Sequence, residues 1–214
     1  MGRAWSAARR PVAGRPGALR LGFSLSAGMW VGLYGGSFDP AHEGHAHVAR
    51  VALRRLALDK LIWLVSPGNP LKAPRGASEL DRRLAGAARR AAGPKMIASD
   101  AERRLGARYT LDTVRLFKAR FPGVRFVWIM GADNLAGFHA WRGWTRIMGE
   151  LPVAVVARRA GALKGRFSPT ARRFAASRLA SGAARRLATA PPPAWIYLTA
   201  PLKSASSTAL RNSS

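Results

Sequence analysis

From Trp30 the chain alternates short β-type runs with segments of helical length, and no other feature restricts its fold as much. The runs are WVGLY (Trp30–Tyr34), LIWLV (Leu61–Val65), KMIA (Lys95–Ala98), VRFVWIM (Val124–Met130), VAVVA (Val153–Ala157) and WIYL (Trp195–Leu198). They are rich in β-branched and aromatic residues and are bounded by Gly or Pro. Between them, Gly44–Leu58 places His45, Val48, Ala49, Ala52 and Leu56 on one helical stripe, and Thr110–Phe121 does the same with Leu111, Val114 and Phe117. This alternation predicts an α/β fold, a doubly wound parallel sheet with helices on both faces. Residues 158–193 drift toward Ala, Arg and Ser and read as helical with a loose loop.

In such sheets ligands bind beyond the carboxyl ends of the strands. The loops to read for function are therefore Gly35–His45, Ser66–Arg75, Gly131–Trp144 and Arg158–Gly161. The first belongs to LYGGSFDPAHEGHAHVA (Leu33–Ala49), which holds three of the chain's 4 histidines. Gly35 and Gly36 end a strand without a Cβ, so a ligand or another backbone can come close. Asp39-Pro40 fixes a turn, His42 lies in the loop, and His45 lies at the start of the helix, where free N–H groups and the dipole favour an anion. Two imidazoles flanking a glycine there form a donor pair for a phosphate. A tight bend with structurally satisfied histidines is the alternative. His47 points away from His45 on a helix and reads as a surface residue.

Charge is the most extreme feature of the composition: 36 Lys and Arg against 10 Asp and Glu, a formal +26. That favours polyanions or phosphorylated substrates. The arginines are scattered in pairs among alanines without interleaved aromatics, which favours a small anionic substrate over a specific nucleic-acid partner. Apolar runs stay far below the roughly 18 residues that cross a bilayer, so no membrane partner is expected. There is no cysteine; any metal must be held by oxygen or imidazole, and a cytoplasmic location fits. Residues 1–28 carry five arginines and no acid, broken by Pro11 and Pro16. They resemble a transit peptide in part, but the favoured reading is an untranslated or disordered extension ahead of a domain at 29–214.

GGSFDPAHEGH resembles the H-x-G-H signature of the nucleotidyltransferase superfamily, in the version G-G-S/T-F-D/N-P-x-H-x-G-H of bacterial nicotinate-nucleotide adenylyltransferases. NPLK (Asn69–Lys72), SDAE (Ser99–Glu102) with RYTLDT (Arg108–Thr113), GADNLAGFHAWRGWTRI (Gly131–Ile147), VVARRAG and SSTALR (Ser206–Arg211) are similar to further segments of that family, in order. Ala160 and Ala205 depart from its usual Pro and Ile.

The resemblance implies a Rossmann-like nucleotidyltransferase domain that joins ATP to nicotinate mononucleotide. It implies His42, His45 and Arg211 as catalytic residues. It assigns Gly35, Gly36, Ser37, Phe38, Gly131, Asp133, Ser206, Ser207 and Thr208 to ATP, and Lys72, Tyr109, Thr110, Trp141, Arg158 and Arg159 to the mononucleotide. Asp133 could equally cap the next helix, and Trp144 is expected in the core. Mg²⁺ is expected through the ATP phosphates, with no ion held by the protein alone; a homo-oligomer is left open. Nicotinamide-mononucleotide and phosphopantetheine adenylyltransferases share the signature, and a basic nucleic-acid-binding module is the alternative of another class.

Overall fold

The computed structural model describes residues 21, 22, 24–68, 76–157 and 162–200. In chain order it contains β1 (Trp30–Gly36), α1 (Glu43–Arg55), β2 (Lys60–Val65), α2 (Ala77–Arg90), β3 (Met96–Ser99), α3 (Ala101–Arg104), α4 (Thr110–Arg120), β4 (Arg125–Gly131), α5 (Ala132–Gly137) and α6 (Trp144–Glu150). β5 (Val153–Val156), α7 (Ala162–Arg166), α8 (Pro169–Arg173), β6 (Arg178–Leu179) and β7 (Trp195–Leu198) follow. All six expected runs form strands. β6, a pair of residues at the sheet edge, is too short to leave a periodic signal, and the Ala/Arg/Ser-rich region around it forms short helices and 3-10 turns.

The strands form one 7-stranded sheet in the order β3-β2-β1-β4-β5-β7-β6, and every neighbouring pair is parallel. Alternate residues of each strand enter opposite cores. Leu61, Trp63 and Val65 join Val48, Ala52 and Leu187 on one face. Ile62 and Leu64 join Leu33, Phe117, Trp128 and Val155 on the other. Both cores require apolar residues at successive positions, which is why these strands read as unbroken apolar runs. Strand order reverses at β1, with β2 and β3 on one side and β4, β5 and β7 on the other. The crevice beyond the carboxyl ends of β1 and β4 is therefore the topological switch point.

Packing reaches back before Met29. Leu21 is 3% exposed and belongs to the second core, and the Gly28 N–H donates to Gly123 O at 2.8 Å. Gly22 sits at φ +78, and a Cβ there would lie 2.7 Å from Ile97 Cδ1. Leu21→Ala is expected to lower the unfolding free energy by about 2 kcal/mol, the low end for a buried leucine truncated near an edge strand. Urea denaturation measures this, and an unchanged midpoint would contradict the packing.

A buried carboxyl joins α3 to α4. Glu102 is 8% exposed and accepts a hydrogen bond from Thr113 Oγ1 at 2.9 Å. Burial pushes its carboxyl up to about 7, against the opposing pull of that hydrogen bond. A folded-state pKa above the unfolded one means that the native state binds more protons between the two values. The stabilisation is then present below about 4.5 and is lost as pH rises to about 7. At about 1.4 kcal/mol per pH unit the wild type loses roughly 3 kcal/mol across that window through this group. Glu102→Gln should lack this component, so its stability relative to wild type should rise from pH 5 to pH 8. A pH series of chemical denaturation tests this, and parallel curves for the two proteins would refute it.

Candidate active site

The loop from β1 to α1 is built around two histidines. His42 is the N-cap of α1 and its Nδ1 accepts the Gly44 N–H at 3.0 Å. His45, in the first turn, accepts the His42 N–H on its own Nδ1 at 3.2 Å. The two bonds make a reciprocal capping box in which imidazoles replace the usual hydroxyl and carboxylate. An Nδ1 that accepts a backbone N–H carries no proton, so each neutral ring holds its proton on Nε2 and presents a donor there. The rings stack with centroids 3.9 Å apart, and the residues are 2% and 9% exposed. Two preset donors thus stand together at a helix N-terminus beside the switch point.

Phe38 supports them from below. It adopts φ +49, a left-handed conformation rare for a bulky side chain, and its ring is buried against Tyr34, Trp63 and His45, the last edge-on at 5.1 Å. Phe38 was expected among the ATP contacts. At 1% exposure its ring is a support for His45. Gly35, also expected at the ATP, is closely approached from β4. A Cβ on it would lie 2.5 Å from Trp128 Cη2, so the space left by the missing side chain is filled by an indole from β4. A Cβ on Gly36 would lie 3.1 Å from the Phe38 ring. Ser37 is exposed directly after β1, and Asp39 accepts from Arg82 Nη2 at 3.0 Å. His47, expected at the surface, is 8% exposed. Gly44 through Ala49 are all buried, so turning away from His45 does not bring a side chain to solvent in these first turns.

The opposite wall follows β4. Gly131 is the N-cap of α5 and Asp133 lies in the first turn, half-buried; the capping role considered for Asp133 falls to Gly131. Trp141 is half-buried, edge-on to Trp128 at 6.5 Å and tilted against Phe138 at 5.1 Å. Gly143, at φ +70, lets the chain pass Leu111, whose Cδ2 would be 2.9 Å from a Cβ there. The guanidinium of Arg142 lies 4.6 Å from the Tyr109 ring centroid. Together these contacts bring the Trp141 segment to the N-terminus of α4, where Tyr109 and Thr110 sit half-buried. The Tyr109 N–H donates to Asp112 Oδ2 at 3.3 Å. Trp144, expected in the core, packs at its rim, half-buried and edge-on to Phe174 at 5.8 Å.

Lys72, Arg158, Arg159, Ser206, Ser207, Thr208 and Arg211 lie outside the described residues. Two residues of the site's frame escaped the sequence reading. Arg83 of α2 is 2% exposed, and its Nη1 donates to Ser37 O at 2.9 Å and Ser66 O at 2.7 Å. Its signal was a cation on the stripe of Leu80 and Ala87, the buried face of α2. Gly165 of α7 approaches α5 so closely that a Cβ would lie 2.3 Å from Ala132 O. A lone glycine in a short Ala/Arg-rich helix gives no such warning.

Residues 33–213 match the cytidylyltransferase-like family. A Caulobacter sp. (strain K31) protein named "Probable nicotinate-nucleotide adenylyltransferase" is 64% identical over 183 residues, covering 86% of this chain and 97% of that protein. A protein of the same name from Roseobacter denitrificans is 48% identical over 195 residues, 91% of this chain and 98% of its own. Among solved structures, Plasmodium falciparum nicotinic acid mononucleotide adenylyltransferase complexed with NaAD aligns with a TM-score of 0.57 at 16% identity, covering 86% of this chain and 83% of that one. That likeness is one of fold. With identity this high over nearly their whole length, and with the paired histidines set at the switch point of the sheet, the chain belongs to the nicotinate-nucleotide adenylyltransferases within the cytidylyltransferase-like family.

Proposed function

We propose that this chain transfers the adenylyl group of ATP to nicotinate mononucleotide, giving nicotinate adenine dinucleotide and pyrophosphate for NAD biosynthesis, in the cytoplasm. The observation that carries the reading is the reciprocal cap, in which the Nδ1 atoms of His42 and His45 accept backbone N–H groups and so leave the proton of each neutral ring on Nε2. In the reaction a phosphate oxygen of the mononucleotide attacks the α-phosphorus. The bond from that phosphorus to the bridging oxygen of the β-phosphate breaks, and pyrophosphate leaves with the electron pair. The nucleophile is already anionic, so no general base is required, and the protein's work is alignment and charge stabilisation.

His42 and His45 donate to the α-phosphate oxygens as charge builds on them, and being preset they cost little reorganisation. Mg²⁺ carried by the ATP phosphates supplies further charge neutralisation. Among the described residues no three His, Asp or Glu side chains are grouped to hold a metal. Gly131 and Asp133 border the adenosine side. Ser206, Ser207, Thr208 and Arg211 hold the β,γ end of the triphosphate, and Lys72, Arg158 and Arg159 meet the mononucleotide's anionic groups. Trp141 offers the pyridine ring a stacking face. At the N-terminus of α4, the Thr110 and Leu111 N–H groups have no intrahelical acceptor and suit the nicotinate carboxylate; Tyr109 N–H is already committed to Asp112.

His42→Ala and His45→Ala should each lower kcat about a hundredfold with little change in ATP affinity, the scale of a lost oxyanion donor. Because alanine also removes the cap, His42→Asn is the control. It restores a good N-cap and hence the melting temperature, but not kcat. Recovery of kcat along with stability would show that the histidine serves only the helix.

Nicotinate mononucleotide should exceed nicotinamide mononucleotide in kcat/KM, because main-chain donors favour a carboxylate and oppose an amide NH₂. Trp141→Ala should weaken both substrates by the same factor. Near-equal values in the wild type would remove the nicotinate assignment, and a changed ratio in the variant would remove the stacking role.

A further inference from the structure

Arg83 is a cation in the interior with no role in the reading above. Unpaired burial of a guanidinium is strongly unfavourable, so its partners decide why it is tolerated. Both Nη1 hydrogens go to backbone carbonyls, Ser37 O at 2.9 Å and Ser66 O at 2.7 Å. Nη2 approaches Pro67 O at 3.4 Å, and Nε lies 3.7 Å from Glu79 Oε1, one turn earlier on α2.

The carbonyls come from two different loops. Ser37 follows β1 and opens the turn through Phe38 and Asp39-Pro40 to His42. Ser66 and Pro67 follow β2, and the Ser66 N–H donates to Gly36 O at 3.0 Å. One planar fork therefore spans the carboxyl ends of adjacent strands, a geometry for which a compact ammonium is a poor replacement. The turn needs such a restraint, because Phe38 holds a left-handed backbone between Ser37 and the histidines.

We infer that Arg83 is a positioning residue: it fixes the Ser37 carbonyl to the β2 loop and thereby holds the His42 turn in its donor geometry. For its effect on turnover this rests on the reading that His42 serves adenylyl transfer. The effect on the turn itself does not depend on it.

The test has a part without substrate and a part with it. In ligand-free protein, Arg83→Met should speed amide hydrogen exchange across residues 37–45 and 66–68 and leave β4 and β5 as in wild type. Unchanged exchange in the first two segments overturns the inference. So does a uniform rise over the whole sheet, the mark of general destabilisation. With substrates, Arg83→Met should lower kcat per folded enzyme at least tenfold, and Arg83→Lys should fall between it and the wild type. Combined with His42→Ala, Arg83→Met should cost little beyond His42→Ala alone, because the two act through one group. Losses that multiply overturn the positioning role. If the Met variant fails to fold, Arg83→Lys supports the same exchange and double-variant measurements with smaller changes. A wild-type protein that makes no dinucleotide would overturn the functional reading, while the exchange result still decides whether Arg83 holds the turn.

Discussion

The parallel pairing of β1 with β4 is the constraint on which the site depends. It sets Leu33 opposite Trp128 and Tyr34 opposite Ile129. Because strand order reverses there, the loops leaving these strands turn to opposite faces and leave a crevice between them. The histidine turn leaves β1 and the Asp133–Trp141 segment leaves β4, so residues separated by most of a hundred positions become the two walls of one cleft.

Aromatic packing transmits that arrangement into side-chain positions. The Trp128 indole occupies the space above Gly35 and meets the edge of Trp141, which in turn leans on Phe138. On the other face Phe38 and Trp63 lie beneath His45. Each wall of the cleft is thus backed by large rings that fill the core, and close-packed interiors leave little freedom for such rings to shift. The glycines of the turn serve this packing at least as much as any approach of a ligand.

Polar groups are buried where loops must be held. The His42–His45 cap satisfies two backbone donors of α1 that would otherwise lack partners and sets the tautomers of both rings. Glu102 and Thr113 join α3 to α4 behind the Tyr109–Thr110 terminus. Arg83 gathers carbonyls from two loops. None of these groups is favourable to bury alone, and each is accepted because it meets backbone or side-chain partners that only the folded chain supplies.

Much of this was legible in the sequence. Apolar runs separated by helical stripes determine a parallel α/β sheet, since only strands covered on both faces tolerate VAVV or LIWLV without alternation. The string Gly35–His45 likewise placed two imidazoles at a helix start, because cap and turn signals are local. What the sequence could not determine was which side of each residue faces what. Gly35 as a seat for Trp128, Phe38 as a support, His47 in the interior, Arg83 across two loops and Gly165 against Ala132 are all contacts between distant segments. Local pattern fixes secondary structure through propensity and periodicity; such contacts exist only once the β1–β4 register and the helix docking have fixed the distances between elements, and that was decided by the tertiary structure alone.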